Sequence, residues 1–239
     1  MDRFDVGRMV VAPYLWHSKI RRIDYLVLSH PQADHMNGLR FIAREFHPKE
    51  FWHNGDQVEA ASFKQLMEIV RVRKIKTLLP ADLLGVREIN GTRVQVLHPG
   101  QGPKTRDASG SGTALNNRSL VLKISYGGKS ILFPGDIERE GEENLVSNAG
   151  QNLKSDILLS PHHGSRSSSS EEFLRMVSPS ICVISSGEGN YFGFPHHQTL
   201  ERLRSIGCRI IRIGRSGATQ CRIAQDLFEI RTFMEDGGF

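Results

Sequence analysis

The stretch LVLSHPQADHMNGL, residues 26–39, determines how the rest of the sequence is interpreted. It begins with an apolar run that is typical of a buried strand. Directly after that run come His30, Asp34 and His35, with Gln32 among them. Imidazole and carboxylate side chains together suit Zn²⁺, Mn²⁺ or Fe, so the end of this strand is a candidate metal site.

Two other apolar runs also end in potential metal ligands. The run ILFPGD ends at Asp136, and ILLSPHHGS contains His162 and His163. An isolated histidine is most often structural or solvent-exposed, but three clusters at the ends of buried strands all need a partner for their polarity. A shared cation would provide that partner, and loops at strand ends are where catalytic groups usually lie. The sequence therefore predicts a divalent metal centre.

Short β-runs alternate with amphipathic segments along the chain. The pair Gly127-Gly128 joins two runs and predicts a β-hairpin, whereas residues 100–112, rich in Gly, Ser and charge, predict a loop. We expect strands over residues 24–29, 94–97, 156–160, 181–185 and 209–213, two more strands within 218–233, and helices over 38–46, 59–74, 137–148, 169–176 and 197–206. This alternation favours a layered α/β architecture in a single domain over residues 1–239.

The composition is that of a globular protein. The 239 residues are enough to bury a sizeable core, and the formal charge of +5 permits a polyanionic partner without requiring one. Cys182, Cys208 and Cys221 form no C-x-x-C pair, and the first two lie at or within apolar runs where buried free thiols are common. A cysteine-based zinc knuckle is therefore not expected. The sequence has no signal-peptide pattern and no apolar stretch of the ~20 residues needed to span a bilayer, so the chain taken alone is expected to be soluble.

Four motifs resemble those of a known family. SHPQADHMNGL, ILFPGDIE, LLSPHHGSRSS and NYFGFPHHQTLERL are similar to successive motifs of the metallo-β-lactamase superfamily, and in particular of the soluble hydrolase domain of the ComEC-type DNA-uptake proteins of bacteria. The resemblance covers residues 4–219 and implies an α/β fold, a metallo-β-lactamase-like αββα sandwich. Members begin with a β-hairpin that contains D-V-G-Q-G-D, whereas this chain opens at FDVGRMVVAPYLW. The resemblance therefore implies that the first N-terminal strands of the fold are missing.

The resemblance also implies ligand roles for the first two motifs. His30, Asp34 and His35 match the ligand loop of the superfamily, but Gln32 stands where a histidine or aspartate ligand is expected. Asp136 matches the carboxylate that bridges two metals in the superfamily.

A late histidine ligand is matched by His162 or His163, and His162 is favoured because it lies nearer the end of the strand. The histidine ligand that other members have ahead of the bridging aspartate has no match, and Asn116 and Asn117 lie in that region as polar substitutes. The ligands of one good site would be Asp34, His35, Asp136 and His162. The ligands of a second, doubtful site would be His30, Asp136 and either Gln32 or Asn117. An amide oxygen is a weak donor for zinc and offsets no charge, so this second site for Zn²⁺ or Mn²⁺ is expected to be the weaker one.

Catalytic roles follow from the same resemblance. Asp34 would orient the attacking water as well as bind metal, and Ser165 would contact a phosphate group of the substrate. His196 or its neighbour His197 would donate a proton to the leaving oxygen or bind a phosphate.

The sequence leaves three functions open. The first is a metal-dependent phosphodiesterase or DNase of DNA uptake, with single-stranded DNA as the expected substrate, and the basic run RVRKIK at residues 71–76 is consistent with it. The second is a small-molecule ester or lactone hydrolase, and the third is a non-catalytic module with a degraded metal site. In the resembled family the domain belongs to an inner-membrane protein, is exposed outside the cytoplasm and has the membrane channel as its partner.

Overall fold

The computed structural model describes residues 4–99, 112–224 and 227–234. The described chain divides into two compact units, the first formed by residues 4–83 and 112–115 and the second by 84–99 and 116–234 with the same short gap near its end. The predicted loop over residues 100–112 lies outside the described residues except for its last residue. A single domain over the whole chain stays a prediction.

The first unit is built on a small parallel sheet. Its strands, paired in the order β1-β2-β3, are β1 (Tyr25–Leu28), β2 (Glu50–His53) and β3 (Lys76–Leu78). A π-helical turn (Gly7–Val11) precedes its helices α1 (Ala12–His17), α2 (Ala33–Met36), α3 (Leu39–Glu45) and α4 (Ala61–Val72), and a 3₁₀ turn (Pro80–Leu83) ends it. Phe63, Leu66 and Val70 recur at helical spacing along α4 and are buried with Leu28 and Phe51 of the strands. This packing fixes the end of β1, where the first ligand cluster begins.

The second unit is built on a mixed seven-stranded sheet. Helix α5 (Gly112–Asn116) contains the boundary between the two units. The strands that follow, paired in the order β10-β9-β8-β7-β6-β5-β4, are β4 (Val86–Ile89), β5 (Thr92–His98), β6 (Val121–Tyr126), β7 (Lys129–Phe133), β8 (Ile157–Leu159), β9 (Ile181–Ile184) and β10 (Arg209–Arg212). The four strands β7 to β10 run parallel, and β4 to β7 are antiparallel. The carboxyl ends of β7, β8 and β9 therefore meet at one edge of the sheet.

Helices cover this sheet and close its core. They are α6 (Arg139–Ala149), α7 (Glu171–Val177), α8 (His197–Ser205) and the short α9 (Ile213–Ser216), with 3₁₀ turns at Gly150–Leu153 and Pro161–Gly164. A separate antiparallel hairpin is formed by β11 (Thr219–Ala224) and β12 (Leu227–Thr232). The fully buried side chains that join strands to helices are Leu132, Leu158, Cys182, Leu145, Phe173 and Leu203. Of the described helices, none is at once long enough and apolar enough to cross a membrane.

The predicted α/β fold is confirmed, with differences at particular elements. Gly127 and Gly128 both have positive φ, +53° and +72°, as the predicted hairpin between β6 and β7 requires. The helix expected from residue 169 begins at Glu171, because Ser169 has a φ of +59° and the hydroxyl of Ser170 accepts the N–H of Phe173 at 3.4 Å as an N-cap. The strands β2, β3 and β4 were not expected from the sequence.

Candidate metal centre

The first unit places four polar side chains close together after β1. The hydroxyl of Ser29 lies 3.1 Å from Nδ1 of His30 and 3.3 Å from Nδ1 of His35, and the two imidazole centroids are 4.2 Å apart. His30 is completely buried. On α2, Nε2 of His35 lies 3.7 Å from Oδ2 of Asp34, whose side chain is 58% exposed. Asp34 and His35 therefore present one ligand pair, and His30 packs behind it.

Gln32 immediately precedes α2 and contributes to the backbone of this loop. Its N–H donates to the carbonyl of His30 at 3.0 Å, and its own carbonyl accepts the N–H of His35 at 3.1 Å. Its side-chain Nε2 donates to the carbonyl of Gly112 at 3.4 Å. The structure thus gives the glutamine a hydrogen-bonding role within the first unit, and its role as a weak ligand stays a prediction.

A further histidine, His53, ends the neighbouring strand β2 and was not singled out from the sequence. It is buried, its ring stacks on Phe51 with centroids 5.2 Å apart, and its Nδ1 accepts the N–H of Gly55 at 3.1 Å. Burial lowers the pKa of this imidazole, and the opposing charge of Asp56 raises it by less. These contacts indicate that His53 is a neutral histidine that packs in the core of the first unit.

The second unit provides a second ligand pair, Asp136 and His163. Asp136 follows β7 and is only 3% exposed, and its N–H donates to the hydroxyl of Ser119 at 3.1 Å. His163 follows β8, and its Nε2 lies 3.5 Å from Oδ2 of Asp136. In both pairs the residue types and the close spacing of the ligand atoms suit a metal ion.

The tautomer of His163 is the one that a metal ligand needs. Its Nδ1–H donates to the carbonyl of Ser185, directly after β9, at 2.7 Å. The lone pair of the neutral ring is then on Nε2, the atom that lies beside Asp136. Metal-ligating histidines almost always hold their second nitrogen in this way.

The backbone around His163 is unusual and explains how the ring reaches that position. His162 and His163 have φ values of +47° and +55°, and Gly164 has +85°. A Cβ at Gly164 would lie 2.7 Å from Cβ of Pro195, so only glycine fits there. Positive φ at two consecutive non-glycine residues is costly and occurs chiefly at functional sites.

His162, the histidine favoured from the sequence, contacts another carboxylate. Its Nδ1 lies 3.5 Å from Oε1 of Glu138, and that oxygen accepts from Nδ2 of Asn116 at 3.0 Å. Glu138 was not singled out, although it is two residues after Asp136 in the motif PGDIE. The structure therefore brings His163, rather than His162, to Asp136.

Asn117 was expected as a substitute ligand and has other contacts. Its Oδ1 accepts the N–H of Glu138 at 2.8 Å and of Gly141 at 3.2 Å, and its Nδ2 donates to Glu140 at 3.3 Å. The amide oxygen thus satisfies N–H groups at the start of α6, which otherwise lack partners.

Comparison with known proteins agrees with this geometry. The model of the metallo-β-lactamase superfamily matches residues 4–188. The chain belongs to the metallo-β-lactamase superfamily. Membership supports a hydrolase that depends on a divalent metal, and each unit of this chain contains a His/Asp pair suited to that role.

Curated relatives of this superfamily member include competence proteins. The chain is 29% identical over 221 residues to ComE operon protein 3 of Bacillus subtilis (strain 168), covering 92% of this chain and 27% of that protein. It is 31% identical over 222 residues to Competence protein ComA of Neisseria gonorrhoeae, covering 91% and 28%. The chain therefore spans little more than a quarter of the length of these relatives. Among solved structures, the metallo hydrolase Igni18 of the archaeon Ignicoccus hospitalis matches 89% of this chain and 80% of its own, with a TM-score of 0.49 and 16% identity.

Ser165, expected to contact a phosphate in this superfamily member, is 5% exposed. Its hydroxyl lies 2.9 Å from that of Ser167, and its carbonyl accepts the hydroxyl of Thr199 at 2.8 Å. These bonds order the loop after His163. Contact with a phosphate stays a prediction.

His196, the expected proton donor, caps α8. Its Nδ1 accepts the N–H of Gln198 at 3.4 Å, so the proton of the neutral ring is on Nε2. Partial burial lowers the pKa of His196, and the positive charges of His197, Arg166 and Arg202 lower it further. The neutral ring with a protonated Nε2 is therefore favoured near neutral pH.

Proposed function

We propose that this chain is a metal-dependent phosphodiesterase that cleaves single-stranded DNA, with metal ligands from the motifs that match the superfamily. The proposed ligands are Asp34, His35, Asp136 and His163. The observation that supports the proposal most is the bond from Nδ1–H of His163 to the carbonyl of Ser185, which leaves Nε2 beside Asp136 as a ligand. The positive φ of His162 and His163 is costly, and such conformations cluster at functional sites.

The donor set fits Zn²⁺ or Mn²⁺, since two imidazoles and two carboxylates offer nitrogen and oxygen to a borderline cation. A cation bound there supplies Lewis-acid chemistry, because it polarises a phosphoryl oxygen and lowers the pKa of water towards neutrality. Asp34, the exposed member of the set, orients the attacking water. The low exposure of Asp136 keeps that carboxylate dehydrated and ready for a cation.

Two further side chains of the second unit, His196 and Glu138, have supporting roles. His196 donates a hydrogen bond from Nε2–H to a phosphate or leaving oxygen, because its Nδ1 is already an acceptor for Gln198. The proton that the leaving oxygen takes up comes from the water consumed in the hydrolysis. Oε1 of Glu138 lies 3.5 Å from Nδ1 of His162, the residue before His163. This contact keeps the ring of His162 in a fixed orientation.

DNA as the substrate is supported by the competence proteins to which the chain is similar and by its formal charge of +5. Because the chain spans little more than a quarter of those relatives, we propose that it acts as the hydrolase part of a longer protein whose remainder forms a membrane channel. In that assignment the domain is exposed outside the cytoplasm.

The proposal is tested by metal analysis and DNA cleavage with three proteins: wild type, Asp136→Asn and the control Asp24→Asn. Asp24 is an exposed carboxylate that pairs with Lys49 at 2.7 Å in the first unit. We expect wild type and Asp24→Asn to contain metal and to cleave labelled single-stranded DNA with added Mn²⁺ or Zn²⁺. We expect Asp136→Asn to lose both properties while remaining folded.

Two results would contradict the proposal. A wild-type chain that neither binds metal nor cleaves DNA would indicate a non-catalytic module. Metal-dependent hydrolysis of carboxylic esters or lactones, with DNA untouched, would indicate a small-molecule hydrolase of the same superfamily.

A further inference from the structure

The loop between β9 and α8 presents aromatic rings to solvent that the proposed mechanism does not use. Tyr191 is 98% exposed and Phe192 is 76% exposed. Phe192 stacks on Phe194 with centroids 5.7 Å apart and an interplanar angle of 20°, and Tyr191 contacts the edge of Phe192 at 6.0 Å. We call Tyr191, Phe192 and Phe194 the aromatic ladder. Its two outer rings leave most of their apolar surface in water, which is unfavourable unless another group covers it.

Hydrogen bonds of one side chain hold the aromatic ladder in place. Oδ1 of Asn190 accepts the N–H of Phe194 at 3.0 Å, and its Nδ2 donates to the carbonyls of Gly187, at 2.8 Å, and of Phe194. The loop is therefore ordered by the bonds of the Asn190 side chain to its backbone, although its rings are exposed. A partner that stacks on these rings would meet a surface that is already formed.

The aromatic ladder leads to the second ligand pair. The ring of Phe194 meets the ring of His162 edge to face, with centroids 5.6 Å apart, and His162 directly precedes His163. Two residues after Phe194, the N–H of His196 donates to the carbonyl of Gly164 at 2.9 Å. The loop of the aromatic ladder is thus joined directly to the loop that holds His163.

Positive charge lies near His196, two residues after the aromatic ladder. Arg166 is exposed and close enough to His196 for its charge to lower the pKa of that imidazole. The carboxylate of this loop, Glu188, is bound by Arg212 at 3.2 Å and Arg215 at 3.0 Å. The negative charge of Glu188 is therefore more than balanced. Glu201 also acts on His196, but less than each of the positive charges there, so the surroundings favour a polyanion.

We propose that the aromatic ladder stacks with the bases of single-stranded DNA and positions the strand beside His163. This inference rests on the proposed function. Single-stranded DNA exposes both the apolar faces of its bases and its phosphates, which match exposed rings next to positive charge. Duplex DNA keeps its bases stacked inside, so the aromatic ladder predicts a preference for single strands.

Binding is tested without catalysis, by fluorescence anisotropy in EDTA. The probes are a labelled oligothymidine of about 16 nucleotides and an abasic strand of the same length, since nucleic-acid sites of this kind span roughly 4–16 nucleotides. The proteins are wild type, Tyr191→Ala/Phe192→Ala, and Tyr126→Ala as the matched control. Tyr126 is 44% exposed at the turn of the β6–β7 hairpin, at the opposite end of β7 from Asp136.

We expect the double variant to bind oligothymidine at least ~10-fold more weakly than wild type does, with unchanged binding of the abasic strand. Tyr126→Ala should bind both probes as wild type does. Two single variants separate stacking from general apolar contact: Phe192→Trp should bind at least as tightly as wild type, and Phe192→Leu more weakly. Unfolding curves of the Tyr191 and Phe192 variants should match that of wild type, because these two outer rings are exposed.

Unchanged binding of oligothymidine by the double variant would overturn the inference, and would show that the rings serve another purpose, such as contact with a further part of a longer protein. An equal loss of binding to the abasic strand would overturn it too, because the rings would then not contact bases.

Cleavage with Mn²⁺ is measured in parallel, so that failure of the aromatic-ladder proposal can be distinguished from failure of the nuclease proposal. If wild type cleaves DNA while the double variant binds it normally, the nuclease proposal stands and the aromatic ladder fails. Base-dependent binding without cleavage would support the aromatic ladder and overturn the nuclease.

Discussion

The two His/Asp pairs have the same chemistry and very different supports. Asp34 and His35 lie on a four-residue helix, and the carboxylate of Asp34 is 58% exposed. Asp136 has a side chain only 4% exposed, and His163 is held by the carbonyl of Ser185 in a backbone of positive φ. A ligand that is already ordered loses less conformational entropy when it binds. We therefore expect the second pair to determine metal affinity and the first pair to adjust it.

The largest expected change in metal affinity is at the two adjacent histidines, His162 and His163, and it tests this comparison most directly. We expect His163→Ala to weaken Zn²⁺ or Mn²⁺ binding by at least ~100-fold, beyond the range seen when only outer partners of a metal are removed. His162→Ala should bind metal within about 10-fold of wild type, because His162 contacts Glu138 instead. Isothermal titration of the metal-free proteins measures both values. The reverse order of effects would show that the ligand is His162, the histidine favoured from the sequence.

A smaller effect is expected at the exposed carboxylate of the first pair. Asp34→Asn should weaken metal binding by about 10-fold, less than His163→Ala, since Asp34 is the solvated member of the set. Asp24→Asn is a matched control, because the side chains of Asp24 and Asp34 are both 58% exposed. If Asp34→Asn and His163→Ala lose the same metal affinity in the same titration, then ordering of a ligand before the metal binds contributes nothing to affinity.

The support of the second pair extends to a buried carboxylate on α6. Glu142 is completely buried and accepts the N–H groups of Ser169 and, at 2.8 Å, of Ser170. Glutamine offers one oxygen where the carboxylate offers two, so Glu142→Gln should lower the free energy of unfolding by about 2 kcal/mol at neutral pH. Chemical denaturation measures the difference.

The pH dependence of that difference has a definite sign. Burial raises the pKa of Glu142, while the N–H bonds and the charge of Arg202 oppose the rise. A raised pKa in the folded state means that wild type is most favoured below the unfolded pKa, about 4.3, and loses stability as pH rises through the folded value. The advantage of wild type over Glu142→Gln should therefore shrink as pH rises from about 4. An advantage that grows with pH would contradict a buried, destabilised carboxylate.

The sequence located the strands that lead to the ligands because those runs are continuously apolar. DYLVLS and DILLS became β1 and β8, and the Gly-Gly turn became the hairpin between β6 and β7. It missed β2, whose four residues EFWH include a charge, and β4, although Asn90-Gly91 before β5 is a turn signal with φ values of +50° and +79°. Short strands receive their identity from neighbours in the sheet, which a local pattern does not contain.

Candidate ligands could be recognised by type, but not by orientation. Whether His162 or His163 reaches Asp136 depends on the positive φ of both residues. Histidine adopts positive φ more often than most residues but still rarely, so residue type alone does not predict that conformation. Glu138 was overlooked because its role depends on its contact with His162, which is distant in sequence. Sequence patterns identify candidate ligands, but contacts of this kind between distant residues are seen only in the three-dimensional structure.

The last prediction concerns the thiols, which report how tightly the sheet that leads to Ser185 is closed. All three cysteines are free, and Cys182 on β9 and Cys208 before β10 are buried free thiols as predicted. Burial raises the pKa of Cys208 to about 11 and that of Cys182 still further, whereas Cys221 is less buried. Since only the thiolate reacts, an aromatic disulfide at pH 8 should modify Cys221 at least about 10-fold faster than Cys182. In urea the modification rates of the three thiols should converge. Equal rates in the native protein would contradict the prediction, because β9, the strand leading to Ser185, would then open too readily to hold His163 in place.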